Sequence, residues 1–383
     1  MKKVAYFSNT DFSLYNFRKE LMVEMKKRGF AVFAVAPVTN REIVEKIEKE
    51  GIKFVKIPLK RGLNLWGRDL FYFLRVFFLC KKEKFFLCHN FTIKPCIFAT
   101  LAQKLAGVKN IYCTITGLGS AFEKRGLLRN MAIFLYKFSL KFSNRVFFQN
   151  PDDKLLFLKL KIIKGEKAKV ILGSGVDLKE FSPSNINQEK FINLKKELGI
   201  KDGERKIVVS LISRMLWNKG IGEFVEAVKV LKKKYPYLEC LLVGPIDREN
   251  PSKIKEATIK KWEKEKIIKY LGERKEIKEI IAISDIIVFP SYREGVPRIL
   301  LEAGAMEKPI VTSNVPGCRE VVQDQKNGFL IKPKEVGELI KKIEILVKNK
   351  KLRKKFGENS RRLIKEKFDV EKIVKETIQM YNL

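Results

Sequence analysis

The 383-residue chain contains no Cys-x-x-Cys pair, no Asp-x-Asp motif, no low-complexity segment and only one histidine, His89. Its six cysteines (Cys80, Cys88, Cys96, Cys113, Cys240 and Cys318) are scattered singly. That spacing excludes an ordinary zinc site and a disulfide framework, and fits buried free thiols of a reducing compartment. No run of about eighteen apolar residues is present to span a bilayer. The opening MKKVAYFSNTDFS also lacks the apolar core, about 7–15 residues long, of a secretory signal. The expectation is a cytoplasmic-facing protein.

Acidic residues are scarce: 44 Asp and Glu stand against 79 Lys and Arg, a formal charge of +35. Residues 1–150 carry +18 of this and the remaining 233 carry +17, so the first part is the more basic by density. Such a balance suits an anionic partner, whether nucleic acid, an acidic membrane face or phosphate-bearing substrates, and does not choose among them. Lysine bias spread over solvated helix faces accounts for it equally well. Hydrophobic residues make up 45%, enough to fill two cores.

Short apolar runs alternate with longer amphipathic stretches, the pattern of β-α units on a parallel sheet. Strands are expected at 4–7, 31–36, 54–57, 85–88, 110–115, 146–149 and 169–172. The segment GSGVDLKEFSPSN (173–185) then breaks the rhythm as a hinge. The pattern restarts at 206–212, 240–243, 267–271, 286–289, 309–312 and 328–331. The fold class is therefore α/β: two Rossmann-like parallel-sheet domains, 1–184 and 185–365, facing a cleft. A lysine-rich helical tail follows, and its end, about 366–383, is expected to pack back onto the first domain.

Open parallel sheets bind ligands at the carboxyl ends of their strands. Beyond KIVVSLI comes SRMLWNKG, with Arg214 and Lys219; beyond IIVF comes PSYREGVPRILLEAG, with Glu294, the Gly295-Val296-Pro297 turn and Glu302. Pro297 suits the first position of a helix, whose free N–H groups would point at the turn. A helix N-terminus with an arginine and a lysine makes a diphosphate site. A carboxylate accepts two hydroxyl bonds at once, as a vicinal diol offers, so the two glutamates fit the two ends of a nucleotide sugar.

The runs SRMLWNKG, LLVGPIDRENPS, YLGERKEI, SDIIVFPSYREGVPRILLEAGAMEKPIVTSNVPGCREVV and NGFLI, in this order, resemble the nucleotide-binding lobe of the retaining glycosyltransferases of family 4, whose fold is called GT-B. The resemblance covers about residues 205–332 closely and the first domain more loosely. SLYNFRKEL and TITGLGS further resemble the subgroup that extends lipid-diphosphate-linked sugars. It implies that Arg214 and Lys219 bind the donor diphosphate, Glu302 the ribose and Glu294 the donor sugar, with the Gly295–Pro297 backbone holding sugar or phosphate oxygens. The loop around Arg274 would hold the base, uridine being the expected one. It also implies a metal-free, cofactor-free reaction that keeps the anomeric configuration. Many relatives carry a histidine after the fifth strand; here Thr116 and Gly117 stand in its place as donor-site candidates, which leaves the sugar open.

On the acceptor side the candidates are His89 and Arg18, each also readable as a rim or surface residue. The aromatic stretch 65–82 reads either as the core face of a helix or as a shallow membrane contact. The acid-free run 124–145, with Lys124, Arg125, Arg129, Lys137, Lys141 and Arg145, suits an electrostatic membrane face. The reading that follows is a peripheral enzyme on the cytoplasmic membrane face, taking a nucleotide sugar and a polyprenyl-diphosphate-linked sugar and binding no nucleic acid. The alternatives are a soluble acceptor, a nucleic-acid-binding protein, which lacks any recognition motif here, and an inactive scaffold of the same fold.

Overall fold

A computed structural model describes residues 1–60, 62, 67–119, 122, 126–201 and 206–383. Leu65, Trp66, Ser120, Lys124 and Arg125, all within stretches singled out above, lie outside the described residues. The chain forms two units, Met1–Gly175 with Val370–Leu383, and Val176–Asp369.

The first unit holds a seven-stranded parallel sheet: β1 (Lys3–Phe7), β2 (Ala31–Ala36), β3 (Lys53–Lys56), β4 (Leu87–Phe91), β5 (Asn110–Ile115), β6 (Arg145–Phe148) and β7 (Ala168–Val170), in the order β3-β2-β1-β4-β5-β6-β7. Successive residues of one strand enter opposite cores. Ala5 and Phe7 pack on one face while Val4 and Tyr6 pack on the other. This two-sided burial is why the strands read as near-continuous apolar runs. The second unit holds six parallel strands: β8 (Ile207–Ile212), β9 (Leu238–Val243), β10 (Lys269–Gly272), β11 (Ile286–Phe289), β12 (Ile310–Ser313) and β13 (Gly328–Ile331), in the order β10-β9-β8-β11-β12-β13.

Two expectations are corrected. The strand predicted at 85–88 begins at Leu87 and runs to Phe91, because Lys84 ends the preceding helix in a left-handed conformation (φ 51°). His89 therefore lies inside a strand rather than after one. The boundary predicted at 184 falls at Gly175. Val176–Ser184 belongs to the second unit, where Arg361 donates to the carbonyls of Phe181 (3.3 Å) and Ala305. The Gly- and Ser-rich composition marks the break, but the unit the segment joins is set by long-range contacts, this arginine and the Val176 N–H on the Phe368 carbonyl (2.9 Å).

Helix Arg68–Glu83 is fastened to the following helical segment by a buried ion pair. Asp69 accepts from Lys94, which also donates to the Lys60 carbonyl at 2.8 Å. Removing one partner of such a pair leaves a buried charge uncompensated. Asp69→Ala is expected to lower stability by about 3 kcal/mol in urea unfolding. A midpoint equal to that of the parent chain would show that Lys94 reaches water without its partner.

Candidate functional site

In the second sheet the strand order reverses between β8 and β11, which pair in parallel with Val209 beside Ile286. The two chains leaving this pair must diverge, and the crevice between them is where open parallel sheets take ligands. One is Ser213–Gly220, the other Pro290–Pro297. They hold six of the sequence-derived candidates, Arg214, Lys219, Glu294, Gly295, Val296 and Pro297, and the backbone N–H of Tyr292 donates to the Asn218 carbonyl at 3.0 Å to join them.

Two glycines permit the approach. At Gly220 (φ 73°) a Cβ would lie 2.1 Å from the Pro290 carbonyl oxygen. At Gly317 (φ 80°), which no sequence motif marks, a Cβ would lie 1.8 Å from the Gly295 carbonyl oxygen. A side chain at Gly220 would push the β8 loop off Pro290, and one at Gly317 would push the β12 loop off the Glu294–Gly295 turn.

The side chains meet as follows. Lys219 donates to Glu294 Oε1, and Ser291 Oγ donates to the same oxygen at 2.6 Å. Both charged groups are largely shielded, with 17% and 13% of their side chains exposed, so their mutual orientation is fixed before any ligand arrives. Arg214 is half exposed and donates from Nη1 to Asp247 at 2.8 Å. Glu302 lies on helix Arg298–Ala305 and accepts from Arg298 Nε at 2.9 Å. Burial raises the Glu302 carboxyl above its ordinary range, against the opposing pull of Arg298. Arg274 lies beyond β10 and is gripped by Glu197 and by Glu276 (3.2 Å), the first raising its already high pKa.

One detail differs from expectation. Pro297 caps the helix rather than opening it: its backbone is extended (φ −73°, ψ 119°), and the helix starts at Arg298 with no side-chain cap. The first N–H groups still project toward the Glu294–Pro297 turn, as the helix geometry requires. Asp247, Ser291, Arg298 and Gly317 were missed by sequence reasoning. Only Arg298 carries a local signal, its spacing of four from Glu302 on one helix. Cys318 was noted only as a buried thiol; its thiol is pushed up to about 12 by burial and by the charge of Glu294, and so stays protonated.

The remaining candidates belong to the first unit. Thr116 and Gly117 follow β5 at its carboxyl end, both partly exposed. Arg18 is 7% exposed, its guanidinium 4.3 Å from the centre of the Phe91 ring. His89 is 1% exposed, with Nδ1 2.6 Å from the Tyr381 hydroxyl and Nε2 2.7 Å from the Thr114 hydroxyl. Arg18 and His89 are thus brought together, lining one small recess with Thr114 and Thr377. Of the two readings of His89, rim residue or substrate contact, neither foresaw its burial: with both ring nitrogens engaged in the core, it ties the C-terminal segment to β4. Thr92, just beyond β4 at this sheet's own reversal point, went unnoticed. It holds φ at 69°, rare for a β-branched residue, and its buried hydroxyl has no hydrogen-bond partner among the described residues.

Residues 191–363 match the family model "Glycosyl transferases group 1", and residues 3–150 match "Glycosyl transferase 4-like". The chain is similar to the N,N'-diacetylbacillosaminyl-diphospho-undecaprenol alpha-1,3-N-acetylgalactosaminyltransferase of Campylobacter jejuni, 32% identical over 94% of this chain and 93% of the relative. It is also similar to the UDP-Gal:alpha-D-GlcNAc-diphosphoundecaprenol alpha-1,3-galactosyltransferase of Escherichia coli, 28% identical over 82% and 79%. Among solved structures it resembles Anabaena HepE in complex with UDP and glucose (TM-score 0.81, 20% identity, 99% and 98% covered). It also resembles WaaG, a glycosyltransferase involved in lipopolysaccharide biosynthesis (TM-score 0.75, 16% identity, 99% of each chain). These last two likenesses are of fold, and that fold is GT-B.

Two measurements test this geometry. Burial, and then the Arg18 charge, hold His89 well below its ordinary pKa, so the folded chain keeps it neutral while the unfolded chain takes up a proton below about pH 6.5. Stability is expected to be flat above that pH and to fall as pH drops, by up to about 1.4 kcal/mol per pH unit from this group. Urea midpoints in a pH series should show that slope, and His89→Gln should flatten it. Gly317→Ala is expected to reduce turnover at least about tenfold by displacing Glu294, since small misplacements at a reacting centre are costly. Unchanged turnover would mean that the turn tolerates a methyl group there.

Proposed function

We propose that this chain, which belongs to the glycosyl transferase group 1 family, moves a hexose or N-acetylhexosamine from a uridine diphosphate sugar to a polyprenyl-diphosphate-linked sugar during glycan assembly, with retention at the anomeric carbon. The observation that carries the donor half is the pairing of Lys219 with Glu294 at the β8–β11 reversal, beside an uncapped helix N-terminus. An ammonium has three N–H groups, so Lys219 keeps two for phosphate oxygens while still holding Glu294. Arg214 and the first N–H groups of helix Arg298–Ala305 add further donors to the diphosphate.

Glu294, oriented by Lys219 and Ser291, accepts hydroxyls of the donor sugar. Glu302, oriented by Arg298, accepts the ribose hydroxyls, and the Arg274 loop holds the base through its backbone. The bond from the anomeric carbon to the diphosphate oxygen breaks as the acceptor hydroxyl approaches from the same face. The departing phosphate oxygen takes the acceptor's proton. Charge that builds on the leaving diphosphate is met by Arg214, Lys219 and the helix end in place of a metal ion, and no cofactor takes part.

The acceptor half rests on the two relatives, whose names specify diphospho-undecaprenol sugars. In the first unit Arg18 and Thr92 lie at the end of β4, near the reversal point of that sheet. The excess of positive charge in residues 1–150 suits the anionic cytoplasmic membrane face, where such an acceptor resides, better than nucleic acid, for which no recognition motif is present.

Transfer from UDP-sugars to a polyprenyl-diphosphate sugar in detergent micelles tests this reading. Lys219→Ala and Arg214→Ala are each expected to cost about 10²–10³ in turnover, with unchanged folding. Activity should persist in excess chelator. Near-normal rates in both variants would displace the donor site, loss of activity restored by magnesium would overturn the metal-free step, and turnover only on water-soluble acceptors would overturn the lipid-linked acceptor.

A further inference from the structure

Two helices of the first unit are apolar on both sides. Helix Arg68–Glu83 sends Tyr72, Val76 and Cys80 into the core, and helix Leu127–Leu140 sends Ala132, Tyr136 and Leu140 into the same core cluster. Both pack on the helical segment Pro95–Leu105 between them, so the three form one layer over one face of the sheet. The opposite sides of the two outer helices remain in solvent. Phe71, Leu74 and Phe78 follow at intervals of three and four, and Leu127, Phe134 and Phe138 at seven and four, so each set forms a single stripe. Phe78 is 64% exposed, Leu127 85% and Phe134 67%.

Clustered exposed aromatics of this kind mark an interaction surface. Basic side chains flank the stripes. The Arg75 guanidinium lies 4.3 Å from the centre of the Phe71 ring and the Lys141 ammonium 4.2 Å from that of Phe138, while Lys137 is exposed between Phe134 and Phe138. Among the described residues of these two helices the acids are Asp69, buried against Lys94, and Glu83, paired with Lys3. The face therefore offers apolar rings in a field of uncompensated positive charge. A second copy of this chain would bring the same charge and be repelled; a layer with acidic head groups above hydrocarbon satisfies both features at once.

We propose that these two helix faces are the membrane-docking surface, with Phe71, Phe78, Phe134 and Phe138 entering the head-group and acyl boundary of an anionic leaflet while Arg75, Lys137 and Lys141 engage its phosphates. The inference rests on the membrane-face reading above and specifies where contact is made. Insertion is shallow: no described helix is long and apolar enough to cross a membrane.

The test is sedimentation of the full chain with vesicles of phosphatidylcholine alone or with added phosphatidylglycerol, at low and high salt. The parent chain is expected to bind the phosphatidylglycerol vesicles and to retain part of that binding at high salt. Phe78→Ser with Phe134→Ser should weaken binding by at least about tenfold and abolish the salt-resistant part. Arg75→Ala with Lys137→Ala should lose the salt-sensitive part by several-fold. All these side chains are exposed, so UDP binding and transfer in detergent should be unchanged, which separates lost docking from lost folding. Vesicle binding by the parent chain that both variants retain would overturn the assignment of this face and leave the membrane reading standing. A parent chain that binds neither vesicle would overturn both. A dimer of the parent chain that the serine variant abolishes, with vesicle binding intact, would assign the surface to a second copy and overturn the proposal.

Discussion

The parallel pairing of β8 with β11 is the constraint from which the candidate site follows. Parallel strands deliver all their carboxyl ends to one edge, and a reversal of strand order leaves the two neighbouring chains no path across that edge between them. The segments carrying Lys219 and Glu294 therefore come together although 75 residues separate them. What the sheet brings near, glycine lets touch. Gly220 against the Pro290 carbonyl and Gly317 against the Gly295 carbonyl close gaps that no β-carbon fits. The acidic group is then oriented by partners from both segments, Lys219 and Ser291.

The same topology in the first unit leads to a different use of polar groups. Its reversal point lies between β1 and β4, and close by, His89, Thr114 and Tyr381 form a buried chain of hydrogen bonds from β5 through β4 to the C-terminal segment. A neutral imidazole can donate from one nitrogen and accept at the other, so it joins two hydroxyls without burying a charge. Burial keeps the Tyr381 phenol protonated as well. The histidine that could be read either as a rim residue or as a substrate contact clamps the returning end of the chain.

Charge works on two scales. Near the candidate site it is local: Arg214 with Asp247, Lys219 with Glu294, Arg298 with Glu302. Across residues 1–150 basic residues outnumber acidic ones by 18, and on the two outer helices basic side chains coincide with exposed aromatic rings. The local pairs orient single groups; a broad excess of one sign is felt only over about a Debye length and falls off with salt.

The strands, and the residues that meet at the candidate site, were legible in the sequence. All thirteen apolar runs became strands, because a sheet buried on both faces writes its positions as continuous apolar runs. Arg214, Lys219, Glu294 and Glu302 could be found because they follow strands or start a helix, positions that local pattern reveals. The spacing of four hinted that Arg298 holds Glu302, but the sequence could not show that Asp247 holds Arg214, that Gly317 sets the turn, or that Val176–Ser184 joins the second unit, for each of these depends on a partner distant in the chain or on the closeness of two loops. The stretch 65–82 makes the division clearest. Its composition allowed either a core helix or a membrane contact; packing put Tyr72, Val76 and Cys80 inside and left Phe71, Leu74 and Phe78 outside, since a helix with apolar residues on opposite sides can bury only the side that meets the sheet.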